Sequence, residues 1–133
     1  MRTISVLLVD DNPAILHHVS KMLEHQFKVL AAFQDGETLL REYPNLRPNV
    51  IILDIVMGEL SGIDLARQLQ EVGCDSKIVF LTVQEDPDFV RAAFGAGGSA
   101  YVVKSRLDTD LITAINAVLS DKLFVSAPLL SIA

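Results

Sequence analysis

Five polar side chains in this sequence stand directly after short apolar runs. Asp10 and Asp11 follow Ile4-Ser5-Val6-Leu7-Leu8-Val9, Asp54 follows Val50-Ile51-Ile52-Leu53, Thr82 follows Ile78-Val79-Phe80-Leu81, and Lys104 follows Ala100-Tyr101-Val102-Val103. Three carboxylates brought together repel, so without a counter-ion at least one is driven towards its protonated form. A hard divalent cation removes that repulsion. Mg²⁺ suits the donor set, because it takes one or two carboxylates, keeps waters and bridges to phosphate. A lysine ammonium and a threonine hydroxyl would then cradle a phosphoryl group as charge spreads over its oxygens. An aspartate in such a place can itself be the nucleophile and form an acyl phosphate. Asp54 is the candidate for that role, leaving Asp10 and Asp11 to hold the metal.

Each of these residues has a plainer reading when taken alone. An aspartate at a strand end is most often a turn or cap residue, Thr82 is a good strand former, and Lys104 reads as a solvated side chain. Recurrence is what points to a site: the same pattern closes four apolar runs. The runs must be neighbouring parallel strands for their ends to meet. A continuous apolar run suits a strand covered on both faces, and in such sheets chemistry sits outside the carboxyl ends.

The segments between the runs are helical in pattern. Asn12-Pro13 places a capping side chain before a proline at a first helical position, and Ile15, Leu16, Val19, Met22 and Leu23 repeat with helical period. Phe27 to Ala32 reads as a second, weaker strand, followed by a short helix from Glu37 to Tyr43 that stops at Pro44. Ser61-Gly62 opens a helix that Gly73 ends. Asp86-Pro87 opens another, closed by Gly95-Ala96-Gly97-Gly98, and a fifth starts near Asp108. Five strands alternating with five helices predict an α/β fold, a doubly wound five-stranded parallel sheet of flavodoxin-like (βα)₅ type with order 2-1-3-4-5. That order sets the first and third strands side by side.

With 133 residues, half of them apolar, the chain is expected to fold as one domain over residues 1–121. The net charge of −6 argues against a nucleic-acid-binding surface on this part of the protein. One cysteine, Cys74, is expected in a reducing compartment. With no apolar run near the roughly 20 residues needed to span a bilayer, and a strand beginning close to Met1, neither membrane nor signal peptide is expected; cytoplasmic location is. His17, His18 and His25 lack metal-ligand spacing. Residues 122–133 are too apolar for a solvated end and read as the start of a linker.

Val9-Asp10-Asp11-Asn12, Leu53-Asp54-Ile55-Val56-Met57 with Gly62, Leu81-Thr82-Val83 and Val103-Lys104 together resemble the receiver domain of two-component response regulators. The resemblance covers nearly the whole chain. It implies transfer of a phosphoryl group from the phosphohistidine of a sensor histidine kinase to Asp54. It also implies Mg²⁺ held directly by Asp11, by Asp54 and by the backbone carbonyl of Val56, with Asp10 acting mainly through water. Thr82 and Tyr101 would be the pair that reorients on phosphorylation, Lys104 the phosphoryl contact, and Val56 and Gln84 the residues tuning phosphate lifetime. Such a domain catalyses only its own phosphorylation and dephosphorylation. The segment from Tyr101 to Ser126 is most similar to receivers of the nitrate-response and quorum-sensing (NarL/LuxR) type. Those dimerise and carry a DNA-binding helix-turn-helix output domain, which is absent from residues 1–133.

Two positions depart from the family pattern: Gly58 stands where proline is common, which is expected to loosen the loop over the site, and Ser105 replaces another common proline. Rival classes fit less well. An aspartyl phosphatase would want an acid where Val56 stands, and a flavin module would not place two acids at its phosphate loop. A receiver-like interaction module working without phosphorylation stays open.

Overall fold

The apolar runs become strands and the periodic segments become helices, as the patterning requires. The computed structural model describes residues 3–58 and 60–126. In chain order it contains β1 (Ser5–Val9), α1 (Pro13–Leu23), β2 (Lys28–Phe33), α2 (Gly36–Leu46), β3 (Val50–Leu53) and α3 (Gly62–Glu71). After these come β4 (Lys77–Thr82), α4 (Pro87–Gly95), β5 (Ala100–Val103), a one-turn 3-10 helix (Lys104–Arg106), α5 (Leu107–Leu119) and β6 (Phe124–Val125). Every strand pair is parallel, and the order is β2-β1-β3-β4-β5-β6.

Because successive strand residues point to opposite faces, the strands supply two cores. Leu7, Val9, Ile51, Leu53, Phe80 and Tyr101 face α2, α3 and α4, with Leu39, Leu65, Leu69 and Ala93 packed upon them. Val6, Leu8, Ile52, Val79, Leu81 and Val102 face α1 and α5, against Leu23, Leu111, Ile115 and Val118. β3 is buried along its whole length, which accounts for four consecutive apolar residues where a one-sided strand would alternate.

The helix starts follow from their caps. Asn12, Asp35, Ser61 and Asp86 each accept a hydrogen bond from a backbone N–H in the first turn of α1, α2, α3 and α4. Gly73 lies at φ +79, the left-handed position expected of a helix stop.

Three expectations change. The second helix does not stop at Pro44: α2 runs through it to Leu46. The Tyr43 hydroxyl is tied to Ser76 at 3.1 Å and to Asp75 at 3.3 Å, and the Tyr43 carbonyl accepts the Arg47 N–H. Those tertiary anchors hold Tyr43 helical against the extended bias that a following proline imposes. The second strand is shifted by one residue, to Lys28–Phe33. The sheet also has six strands rather than five, since Phe124 and Val125 pair with Ala100 and Tyr101. Within the expected linker 122–133, the part up to Ser126 therefore closes the side of the sheet. The rest of that linker, residues 127–133, lies outside the described residues.

Candidate functional site

Parallel order alone brings the strand ends together, with β1 between β2 and β3, and β4 and β5 beside them. Asp10 leaves β1 with its N–H bonded to the Phe33 carbonyl, and Asp54 leaves β3 with its N–H bonded to the Val9 carbonyl. Both side chains are buried. Lys104, from the end of β5, reaches across and bridges them: its Nζ lies 2.8 Å from Asp10 Oδ2 and 3.0 Å from Asp54 Oδ2. Asp11 is exposed, yet a carboxylate oxygen of each of Asp10, Asp11 and Asp54 lies within 4.8 Å of the other two.

The two oxygens of Asp54 have different surroundings. Oδ1 accepts the N–H of Ile55 at 2.7 Å and faces that of Val56 at 3.4 Å. Oδ2 meets only the Lys104 ammonium among the described residues. Asp10 Oδ1 accepts the Asn12 N–H at 2.9 Å. Backbone donors thus fix the carboxylate planes, while the second oxygens face the cation.

Burial raises the Asp10 carboxyl above its ordinary range; bonds from Lys104 and the Asn12 N–H oppose that rise, and the Asp54 charge adds to it. Burial also works against the Lys104 charge, but the hydrogen bonds and charges of Asp10 and Asp54 outweigh it and hold the ammonium above its ordinary value. The result is one cation among three anions, a deficit that a bound divalent ion would correct. The donor set consists of hard oxygens and fits Mg²⁺.

The loop after β3 is held by Gly62, whose N–H bonds the Ile55 carbonyl at 2.7 Å. A Cβ at that position would fall 1.9 Å from the Asp54 carbonyl oxygen. Gly62 is therefore what lets α3 start directly against the end of β3. Val56 stands in the same loop with its side chain half exposed. Gly58 adopts φ +56 with no atom within 4 Å of where a Cβ would lie. Its glycine serves a left-handed turn that proline, fixed near φ −65°, cannot make. A depression of about 250 Å³ opens beside this turn, bordered by Asp11, Asp35, Gly36, Met57 and Leu60.

The remaining candidates sit one layer away. Thr82 is fully buried, and its hydroxyl faces the Gln84 N–H at 3.4 Å; among the described residues no hydrogen bond joins it to Asp54. Tyr101 is turned inward and buried, and its hydroxyl donates to the Gln84 carbonyl at 2.8 Å. Burial first, then the charge of Asp54, pushes its phenol well above the ordinary value. Gln84 contributes through its backbone, between the Thr82 and Tyr101 hydroxyls. A side-chain pattern could not show this, because the link is a main-chain carbonyl. His18 of α1 pairs with Asp108 of α5 at 2.7 Å, outside the Asp10–Asp54–Lys104 cluster.

A family model described as the response regulator receiver domain matches residues 6–116. Transcriptional regulatory protein DegU of Brevibacillus brevis is 30% identical over 118 residues, covering 86% of this chain and 50% of DegU. Transcriptional regulatory protein LiaR of Bacillus subtilis (strain 168) is 33% identical over 116 residues, covering 86% of this chain and 55% of LiaR. Among solved structures, a LuxR-family two-component response regulator from Aurantimonas sp. SI85-9A1 superposes with TM-score 0.92 at 26% identity, over 98% of this chain and 94% of that one. The isolated REC domain of RcsB from Salmonella enterica serovar Typhimurium, solved in the presence of phosphomimetic BeF₃⁻, gives TM-score 0.89 at 26% identity, over 98% and 99%. The chain spans about half the length of the curated relatives it matches. With the receiver model matching residues 6–116, this chain belongs to the response regulator receiver domains, and its relatives are regulators of NarL/LuxR type.

Proposed function

We propose that this receiver is a phosphorylation-operated switch that accepts a phosphoryl group on Asp54. The observation that carries this reading is the bridge from Lys104 to Asp10 and Asp54 at 2.8 and 3.0 Å, with Asp11 in the same cluster. Asp54 Oδ2 is the attacking oxygen, since Oδ1 is held by the Ile55 N–H. It bonds to the phosphorus of a sensor kinase's phosphohistidine as the phosphorus–nitrogen bond breaks and the imidazole nitrogen takes a proton. Asp10, Asp11, Asp54 and the Val56 carbonyl would hold Mg²⁺, which when bound offsets charge on the transferring oxygens. Lys104 moves with the incoming charge and holds the phosphoryl oxygens. Thr82, Gln84 and Tyr101 carry the change to the α4–β5–α5 side, biasing two pre-existing states; Val56 and Gln84 set how long the phosphate lasts. The chain turns over no other substrate, acts in the cytoplasm, and governs homodimerisation and a DNA-binding output domain.

Incubation with Mg²⁺ and a small phosphodonor, followed by intact mass, tests this. The expected result is a gain of one phosphate that Asp54→Asn abolishes. A second reading, an interaction module that works without phosphorylation, draws on one observation: Tyr101 already lies inward. No mass gain under any condition selects that reading.

A further inference from the structure

The outer side of β5 is bonded to the tail of the chain. Phe124 donates its N–H to the Ser99 carbonyl at 3.2 Å, and Ser126 donates its own to the Tyr101 carbonyl at 2.9 Å. The next group along is the Val103 N–H. In a continuing parallel ladder a backbone carbonyl would accept it; here the Ser126 hydroxyl does, at 3.1 Å. Ser126 is fully buried, with none of its surface exposed. Without that hydroxyl the Val103 N–H would be a buried donor without a partner among the described residues, a costly state.

Val103 is the last residue of β5, and Lys104 comes next. The 3-10 turn that Lys104 opens has no side-chain cap, and neither has α5 after it. Among the described residues, Ser126 is the one side chain hydrogen-bonded to the backbone between Val103 and Leu107. The strand residue directly before the phosphoryl-contacting lysine is therefore held from outside by the tail.

Resting on the reading of Asp54 as phosphoacceptor, we infer that Ser126 is a positioning residue for Lys104. Its hydroxyl fixes the end of β5 and through it the placement of Nζ against Asp54 Oδ2. The tail is then part of the phosphorylation apparatus as well as the route out of the domain. A lysine side chain is long and flexible, so loss of the hydroxyl would broaden the placement of Nζ rather than remove it.

The 133-residue chain carrying Ser126→Ala or Ser126→Thr tests this in two arms. In the first, without phosphodonor, the Val103 amide and the Lys104 side-chain nitrogen are followed by NMR. Ser126→Ala is expected to speed Val103 amide exchange by about tenfold, the equivalent of one hydrogen bond, and to shift the Lys104 nitrogen signal; Ser126→Thr restores both. In the second, acetyl phosphate and Mg²⁺ are supplied. Ser126→Ala is expected to slow phosphorylation several-fold without changing Mg²⁺ affinity, and to have no further effect in a Lys104→Ala background. An unshifted Lys104 signal, or equal slowing in the Lys104→Ala background, overturns the inference. Wild-type protein that takes up no phosphate overturns the phosphoacceptor reading instead, and the first arm still decides how Lys104 is positioned.

Discussion

Asp10 is the residue on which the electrostatics of the site turn. Its carboxyl binds a proton more tightly in the folded chain than in the unfolded one, so its ionisation costs stability. In metal-free protein that cost is full at neutral pH and disappears as pH falls through the raised folded value towards 3.8. Asp10→Asn removes it at every pH. Metal-free Asp10→Asn is expected to melt higher than wild type at neutral pH and to lose that advantage as the pH falls. The rise in melting temperature on adding Mg²⁺ should shrink or vanish in the same variant. Calorimetry with and without Mg²⁺ decides it, and equal Mg²⁺ gains in the two proteins would remove Asp10 from the metal site. Gly58 makes a different point. Its φ of +56 lies beside open space, so Gly58→Ala meets backbone strain alone, about 1 kcal/mol. Gly58→Pro cannot make the turn and should cost more. Urea titration of the two variants should rank them in that order; Gly58→Pro as stable as wild type would show that the turn relaxes freely.

At the scale of elements, what could be read in advance was whatever depended on local pattern. Strands β1, β3, β4 and β5 are apolar runs ending in polar residues, and α1, α3 and α4 carry legible caps, so the meeting of Asp10, Asp54 and Lys104 followed from parallel order alone. What escaped notice depended on contacts remote in sequence. Pro44 signals a stop, yet α2 continues because the Tyr43 hydroxyl is anchored 32 and 33 residues away. A two-residue strand such as β6 has no period to detect, and the closeness of Gly62 to the Asp54 carbonyl is visible only in three dimensions. The anchor on α2 can be tested. Tyr43→Phe keeps the ring in its buried place and removes the bonds to Asp75 and Ser76. Ser76 retains its bond to the Pro48 carbonyl, so the expected loss is about 1 kcal/mol, read from the urea midpoint. No change would mean that ring packing alone carries α2 past its proline.

For the molecule as a whole, the two tyrosines report on both ends of the sheet. Burial raises Tyr43 and, more strongly, Tyr101 above 10.0, the ordinary value. Their contribution to stability is complete below that pH and is lost as pH rises past it towards the folded values. Folded protein at pH 10.0 should therefore show far less phenolate absorbance than the same protein in urea. Equal absorbance in the two states would contradict the burial of both rings. The other side of the sheet has its own vulnerability. Ala100–Val103 is a short, wholly apolar strand, and among the described residues what covers its flank away from β4 is a two-residue strand and one serine. A chain ended at residue 121 would bare the Tyr101 carbonyl and the Val103 N–H beside that apolar strand, a ready template for pairing with a second molecule. Such a shortened chain should associate with rising concentration, beyond any assembly of the full chain, in light scattering. On that expectation the tail also serves as a shield, keeping the strand that bears Tyr101 from recruiting a foreign strand.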